Sequence, residues 1–277
     1  MLLSVITISY NNYDGLRQTL DSVAAQTCQD FEYLVIDGGS TDRSVDLIQT
    51  YGSLIDYWVS EADRGVYHAM NKGVQAAHGD YVLFLNSGDT FYDPDVVSHV
   101  LDKLDGVDVL TGGTWFSFGR DVPAPESVSM DFLYEWTLCH QASFIRRALL
   151  LERPYDESLH YVADWKFWVQ MLIFRNGTYR PIDVMIARYD WNGMSTVHYV
   201  DVDKEKQAEL RKFFPEKVLQ DYEHHVVGCT WEEKLYIQVQ KSRFHAVIYT
   251  FNVCLIRLMQ AFRKGAFWIK DYPVRLK

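Results

Sequence analysis

Apolar, β-branched runs alternate with polar turns and amphipathic stretches through the first part of the chain. Leu2 to Ser9 (LLSVITIS) predicts a buried strand. Asn11-Asn12 then opens a helix with Leu16, Leu20, Val23 and Ala24 on one face. Phe31 to Ile36 predicts a second strand, followed by Asp37-Gly38-Gly39-Ser40-Thr41-Asp42. Ser40 and Thr41 are N-cap candidates for the helix carrying Val45, Leu47 and Ile48. Ile55 to Val59 predicts a third strand, and Tyr67 to Ala77 a helix ended by Gly79. Tyr81 to Leu85 predicts a fourth strand, running into Asn86-Ser87-Gly88-Asp89.

Strand, helix, strand, helix with short turns predicts an α/β fold with a mostly parallel, Rossmann-like sheet flanked by helices. Ligands of such sheets bind beyond the carboxyl ends of the strands. The clusters Ser9-Tyr10-Asn11, Asp37-Gly38-Gly39 and Asn86-Ser87-Gly88-Asp89 each follow a strand, so they are expected on one rim. Beyond Asp108 the pattern is strand-like but irregular (VLTGGTWFSFG), with a short strand predicted at Gln141 to Ile145. Helices are predicted from Ala163 to Phe174 and from Asp201 to Phe214, and two more within 216–270.

Composition changes this picture little. The 277 residues are 48% hydrophobic and 23% charged, a globular balance that excludes disorder. The four cysteines, Cys28, Cys139, Cys229 and Cys254, have no metal-ligand spacing and suit a reducing compartment. No basic segment precedes an apolar stretch at the start, so no signal peptide is expected. The apolar stretch Ala246 to Ile256 contains Thr250 and Asn252, which argues against a transmembrane span. The net charge of −10 is unevenly spread: residues 234–277 are strongly basic, with Asp271 their one acid, and the rest is correspondingly acidic.

The strings SVITISYNN, FEYLVIDGGSTD and SEADRGVYHAMNKGVQAAHGDYVLFLNSGD resemble family 2 glycosyltransferases, most of all bacterial enzymes that assemble capsule, exopolysaccharide and lipopolysaccharide. The resemblance covers roughly residues 1–190 and implies the GT-A fold. Residues 1–200 would form the transferase domain, with a nucleotide-sugar donor half (1–105) and an acceptor half (106–200). Residues 201–277 would be a helical C-terminal segment, basic from 234.

The resemblance further implies donor contacts from Thr7, Ser9, Tyr10, Asp37, Asp63, Asn86 and Ser87. Gly38 replaces the second acid of the family's usual Asp-Asp pair. Asn86-Ser87-Gly88-Asp89 occupies the place of the DxD metal motif, which makes Asp89 the first metal-ligand candidate and Asn86 a weaker one. A diphosphate leaving group calls for a hard cation, Mg²⁺ or Mn²⁺. Tyr161-Val162-Ala163-Asp164-Trp165 is similar to the family's ED motif, with Ala163 for the first acid and Asp164 as the catalytic base. A carboxylate there is ionised at neutral pH and can take the acceptor's proton. His140, Gln141 and Trp165 would meet the acceptor, with Trp168 as a second platform candidate, and Arg188 and His198 could touch diphosphate.

The expected function is therefore an inverting transfer from a nucleotide sugar to a saccharide or lipid-linked saccharide in cell-surface polysaccharide synthesis. The alternative is an inactive sugar-nucleotide-binding scaffold, since Gly88 and Ala163 replace two family acids. A dehydrogenase would want GxGxxG after the first strand, and none is there. A nucleotidylyltransferase would want a Gly-rich basic loop. The setting implied is cytoplasmic, with an alternative peripheral place on the inner face of the membrane. Basic and large apolar residues interleave in 234–277, as an interfacial helix needs to hold an anionic membrane surface. No nucleic-acid partner is expected, and homo-oligomerisation stays open.

Overall fold

The computed structural model describes residues 1–116, 119–189 and 199–226. One compact unit spans Met1–Leu219. Of the second, Gln220–Lys277, only the helical residues 220–226 are described, so the basic segment from 234 lies outside the described residues.

The strands are β1 (Leu3–Ser9), β2 (Glu32–Asp37), β3 (Tyr57–Ser60), β4 (Tyr81–Phe84), β5 (Thr90–Phe91), β6 (Val109–Phe116), β7 (Arg120–Val122), β8 (Ser143–Arg146) and β9 (Tyr179–Tyr189). The helices are α1 (Tyr13–Ala24), α2 (Ser44–Thr50), α3 (Val66–Ala76), α4 (Val96–Val100), α5 (Met130–Glu135), α6 (Arg147–Glu152), α7 (Ala163–Trp168), α8 (Tyr199–Phe213) and α9 (Glu216–Val226). Helix α7 continues as one π-helical stretch, Val169–Phe174.

Among the described residues one sheet runs β3-β2-β1-β4-β8-β6-β9-β5, with β7 on β6. It is parallel through β3-β2-β1-β4. It turns antiparallel where β8 joins β4 and β6, and β9 then runs parallel to β6. Every residue of β1 and β2 is buried, which explains their continuous apolar runs: both faces are covered. Leu3 and Val5 share one core cluster with Leu16, Leu20 and Val23 of α1. Ile6 points the other way, toward α3, where a Cβ on Gly73 would stand 2.6 Å from its Cγ2.

The chain order β1-β2-β3 runs outward, then α3 returns so that β4 lies on the other side of β1. That reversal leaves a crevice at the carboxyl ends of β1 and β4, the place where such sheets bind ligands.

The sequence expectations need several corrections. Ser40 and Thr41 do not cap α2, which starts at Ser44 with Arg43 before it; instead the Asp42 carboxylate takes the Ser44 N–H at 2.9 Å. The third strand starts two residues later than predicted. Gln141 lies in a 3-10 turn, His140–Ala142, ahead of β8. Strand β9 was not foreseen, because Pro181 and the charges Arg180, Asp183 and Arg188 break its apolar pattern. The compact unit also runs past residue 200, since Glu209, Leu210 and Leu219 are buried in it.

Candidate active site

Three polar segments meet at the predicted rim. Ser9 pairs with Asp37 in register, the Gly38 N–H donates to Ser9 O at 2.9 Å, and the Ser87 N–H donates to Ile8 O at 3.0 Å. Asn12 caps α1 by accepting the Gly15 N–H, and its amide also donates to Ser87 O at 3.1 Å, tying the β1 exit to the β4 exit. Asn11, at φ 48°, accepts the Thr41 N–H at 2.8 Å. A cleft of about 1590 Å³ opens above this rim. Ser9, Tyr10, Asp63, Asn86, Ser87 and Asp89 line one part of it, and His140, Gln141, Asp164 and Trp165 another. Tyr10 is 62% exposed and offers a flat aromatic face there.

Two expected donor contacts do not reach the cleft. Thr7 is fully buried, accepting from or donating to Tyr33 Oη at 2.9 Å and donating to Leu85 O at 2.7 Å, so it fastens β1 inside the sheet. Asp37 is fully buried too; its carboxylate accepts the Gly39 and Ser40 N–H groups and the Ser40 and Ser60 hydroxyls. It shapes the 38–40 turn. Asp63 does reach the cleft. A Cβ on Gly38 would stand 2.5 Å from Asp63 Oδ2, so the space beside Asp37 belongs to this carboxylate.

The Asn86–Asp89 turn is held from below by Thr19 of α1, whose hydroxyl donates to Asp89 O at 2.7 Å and accepts the Gly88 N–H at 3.0 Å. Gly88 has φ 107°, a conformation side chains avoid. The turn itself therefore disfavours an acid at 88 and leaves Asp89 as its carboxylate. Asn86 Oδ1 is buried without a hydrogen-bond partner, while its amide nitrogen lies 3.1 Å from His140 Nε2. Among the described residues no three His, Cys, Asp or Glu side chains cluster as a metal site. An orphaned oxygen and a carboxylate in one turn nonetheless fit a hard cation that takes its other ligands from a diphosphate.

Asp164 lies in the first turn of α7, facing the cleft. Its Oδ1 accepts the Trp165 N–H at 2.8 Å and the Tyr67 hydroxyl at 3.2 Å, and its Oδ2 lies 3.3 Å from His140 Nδ1. With Nδ1–H donating to Asp164, neutral His140 accepts at Nε2 from Asn86, so one imidazole links the turn to the carboxylate. Burial alone would lower the His140 pKa, but the hydrogen bond and charge of Asp164, with Asp89 behind it, raise it above its ordinary value. Burial, reinforced by the Asp164 charge, pushes the Tyr67 phenol well up, so it stays a donor. Ala163, in the place of the motif's first acid, is buried.

Helix α8 lies where a helix is predicted, from Asp201 to Phe214, but its part in the site is not legible in the sequence. The Glu205 carboxylate accepts three successive backbone N–H groups, from His160 at 2.8 Å, Tyr161 at 2.7 Å and Val162 at 3.1 Å. These residues lead into α7, whose N-cap Val162 has no polar side chain of its own. Lys166, two residues past Asp164, pairs with Glu209 at 2.8 Å and with Asp156 at 2.7 Å. Only an alternation of acids and lysines in α8 hinted at this, a pattern that reads as a solvated face.

The aromatic expectation shifts as well. Trp165 lines the cleft, but it is 2% exposed and its Nε1–H donates to Leu133 O at 2.6 Å. Trp168 is core. The open indole at this end is Trp136, 66% exposed. Arg188 stacks on Tyr92 and Trp115 away from the cleft, and His198 lies outside the described residues.

The model of the family described as "Glycosyl transferase family 2" matches residues 4–156. The chain belongs to this family. A PGL/p-HBAD biosynthesis glycosyltransferase of Mycobacterium bovis is 33% identical over 219 residues, covering 74% of this chain and 82% of the relative. An uncharacterized glycosyltransferase of Mycobacterium tuberculosis is 38% identical over 227 residues, covering 77% and 85%. The fold is shared with Staphylococcus aureus TarS 1-349 in complex with UDP-GlcNAc (TM-score 0.60, 22% identity, 72% of this chain and 61% of that one). It is also shared with the Pyrobaculum calidifontis mannosyltransferase PcManGT in complex with GDP-Man and Mn²⁺ (TM-score 0.57, 16% identity, 71% and 59%). This family 2 chain thus has a GT-A-like architecture, while spanning only 37% of the longer TarS structure. Its matched segment ends before Asp164 and before α8.

Proposed function

We propose that this family 2 protein transfers a sugar, with inversion, from a nucleotide sugar to a saccharide or lipid-linked saccharide destined for the cell envelope. The observation that carries the reading is the Asp164 carboxylate, oriented by Tyr67, His140 and the Trp165 N–H, in the same cleft as the Asn86–Asp89 turn. The nucleoside lies against Tyr10 and Ser9, with Asp63 at its base or ribose. Asp89 and Asn86 Oδ1 would hold a divalent cation, which would supply charge neutralisation for a diphosphate leaving group. Asp164 takes the proton of the acceptor hydroxyl as its oxygen bonds to the anomeric carbon and the bond to the diphosphate oxygen breaks. The envelope setting rests on the mycobacterial relative's name, and a nucleotide-sugar donor on the ligands of TarS and PcManGT. No helix among the described residues is long and apolar enough to cross a membrane, and we place the reaction at the cytoplasmic face.

Thermal shift with a panel of UDP- and GDP-sugars, with and without Mn²⁺, identifies the donor, since a ligand that binds only the folded state raises its apparent stability. Asp164→Asn should keep donor binding and lose transfer by at least ~100-fold. Transfer at the wild-type rate would remove Asp164 as the base. Donor binding without transfer or donor hydrolysis by the wild type would instead favour the scaffold reading, which the acids missing at Gly88 and Ala163 support.

A further inference from the structure

Helix α8 also brings a cation to the cleft. Lys206 lies between two anchored neighbours: Glu205 is fixed by its three backbone N–H donors, and Glu209 by Lys166. The half-buried Lys206 side chain passes over Trp165, its ammonium 5.3 Å from the ring centre, and donates to Trp136 O at 3.2 Å. Among the described residues no carboxylate stands within ion-pair distance of it. Burial lowers its pKa to about 8, against the opposing pull of Asp203, Asp164 and Glu135.

An ammonium has three donors, and one carbonyl uses one of them. The other two face the cleft, where an anion can take the place of water and compensate a partly desolvated charge. A neutral sugar hydroxyl could meet one but would not compensate the charge. A carboxylate or phosphate does both, through short charge-assisted hydrogen bonds. The position selects the acceptor over the donor, because Lys206 is surrounded by Trp136, Trp165 and Glu135 of the acceptor half. The diphosphate of a donor belongs instead with Ser9, Asn86 and Asp89 at the strand ends.

We propose that Lys206 binds an anionic group of the acceptor beside Trp136, either the carboxylate of an acidic sugar or the phosphate of a lipid-linked one. This rests on the glycosyltransferase reading above. The full-length protein is loaded with UDP or GDP, whichever binds, and titrated calorimetrically with methyl β-glucuronide, glucose 1-phosphate and neutral methyl β-glucoside. The wild type should bind one anionic probe at least about tenfold tighter than the glucoside, and which one does identifies the source of the charge. Lys206→Gln should abolish that preference and leave nucleotide affinity within about twofold; Lys206→Arg should retain it. If the nucleotide binds but the three probes bind alike or not at all, or if the preference survives in Lys206→Gln, the proposal is overturned. If neither UDP nor GDP binds, the nucleoside diphosphates of the other bases take their place, and if none binds the nucleotide-sugar reading falls and takes the proposal with it.

Discussion

Glu205→Ala tests whether a helix beyond the family-matched segment controls catalysis. The substitution removes the acceptor of three N–H groups. His160 is exposed and Tyr161 partly so, and water replaces the carboxylate at both. Val162 is buried, and its N–H is left unsatisfied at a cost of about 1–3 kcal/mol. Loss of a negative charge near the start of α7 adds about 0.5 kcal/mol. The sum is about 2.5 kcal/mol, which lowers Tm by roughly 5–10 °C for a unit of this size. The released entry to α7 carries Asp164 with it. A misplacement of about 1 Å at a reacting group costs on the order of 100-fold, so kcat should fall about 10- to 100-fold while the donor KM changes little. The assay is steady-state nucleoside diphosphate release with the donor found by thermal shift, read beside Tm. Glu205→Gln keeps one oxygen acceptor and should fall between wild type and alanine in kcat. A lowered Tm with kcat within twofold of wild type would refute the reasoning and leave Glu205 a stability residue alone.

Three further outcomes are expected. Gly38→Ala places a Cβ against Asp63 Oδ2 and should weaken nucleotide binding several-fold by displacing that carboxylate, with Tm nearly unchanged; unaltered nucleotide affinity by calorimetry would remove Asp63 from the donor site. Lys166→Met leaves the buried Glu209 with the exposed Lys212 as its remaining partner and should cost about 2 kcal/mol in denaturant unfolding; a loss under about 0.5 kcal/mol would contradict this. The hydrogen bond and charge of Lys166, with Ser158, hold Asp156 at about 2, below its ordinary 3.8, so its stabilisation is present above pH 4 and disappears as pH falls toward 2. Scanning calorimetry between pH 5 and pH 3 should therefore show a shallower fall in Tm for Lys166→Met than for wild type, and parallel slopes would count against the pairing.

The sequence revealed the donor half well because periodicity and turn chemistry agree there. Buried parallel strands leave unbroken apolar runs, and each ends in Ser, Asp or Asn at the rim. Asp164, Asn86 and His140 were legible as separate candidates, but not as one hydrogen-bonded chain, since they stand on three elements far apart in sequence. Thr7 and Asp37 were misplaced because a strand-end polar residue looks the same whether it faces a ligand or fastens a turn; only burial distinguishes the two. Trp165 and Trp168 were the candidates on nearness to the base and Trp136 went unnoticed, because sequence distance says nothing about which indole remains open. Glu205 and Lys206 were invisible for a similar reason: in an acidic and lysine-rich helix, one turn that faces inward reads like its solvated neighbours.

The left-handed glycine at 88 constrains how this active site can change over time. A carboxylate at that position would force a side-chain-bearing residue into a conformation costing about 1–2 kcal/mol, so a second acid in this turn is not acquired there cheaply. The open route is Asn86→Asp, nearly identical in shape. That exchange replaces the amide donor facing His140 Nε2 with an acceptor, and so demands a proton on that nitrogen. The imidazole must then change tautomer and give up its donation to Asp164, or become charged beside it. A change at position 86 is therefore felt at Asp164 through His140, and variation at position 86 should be matched by compensating variation at position 140.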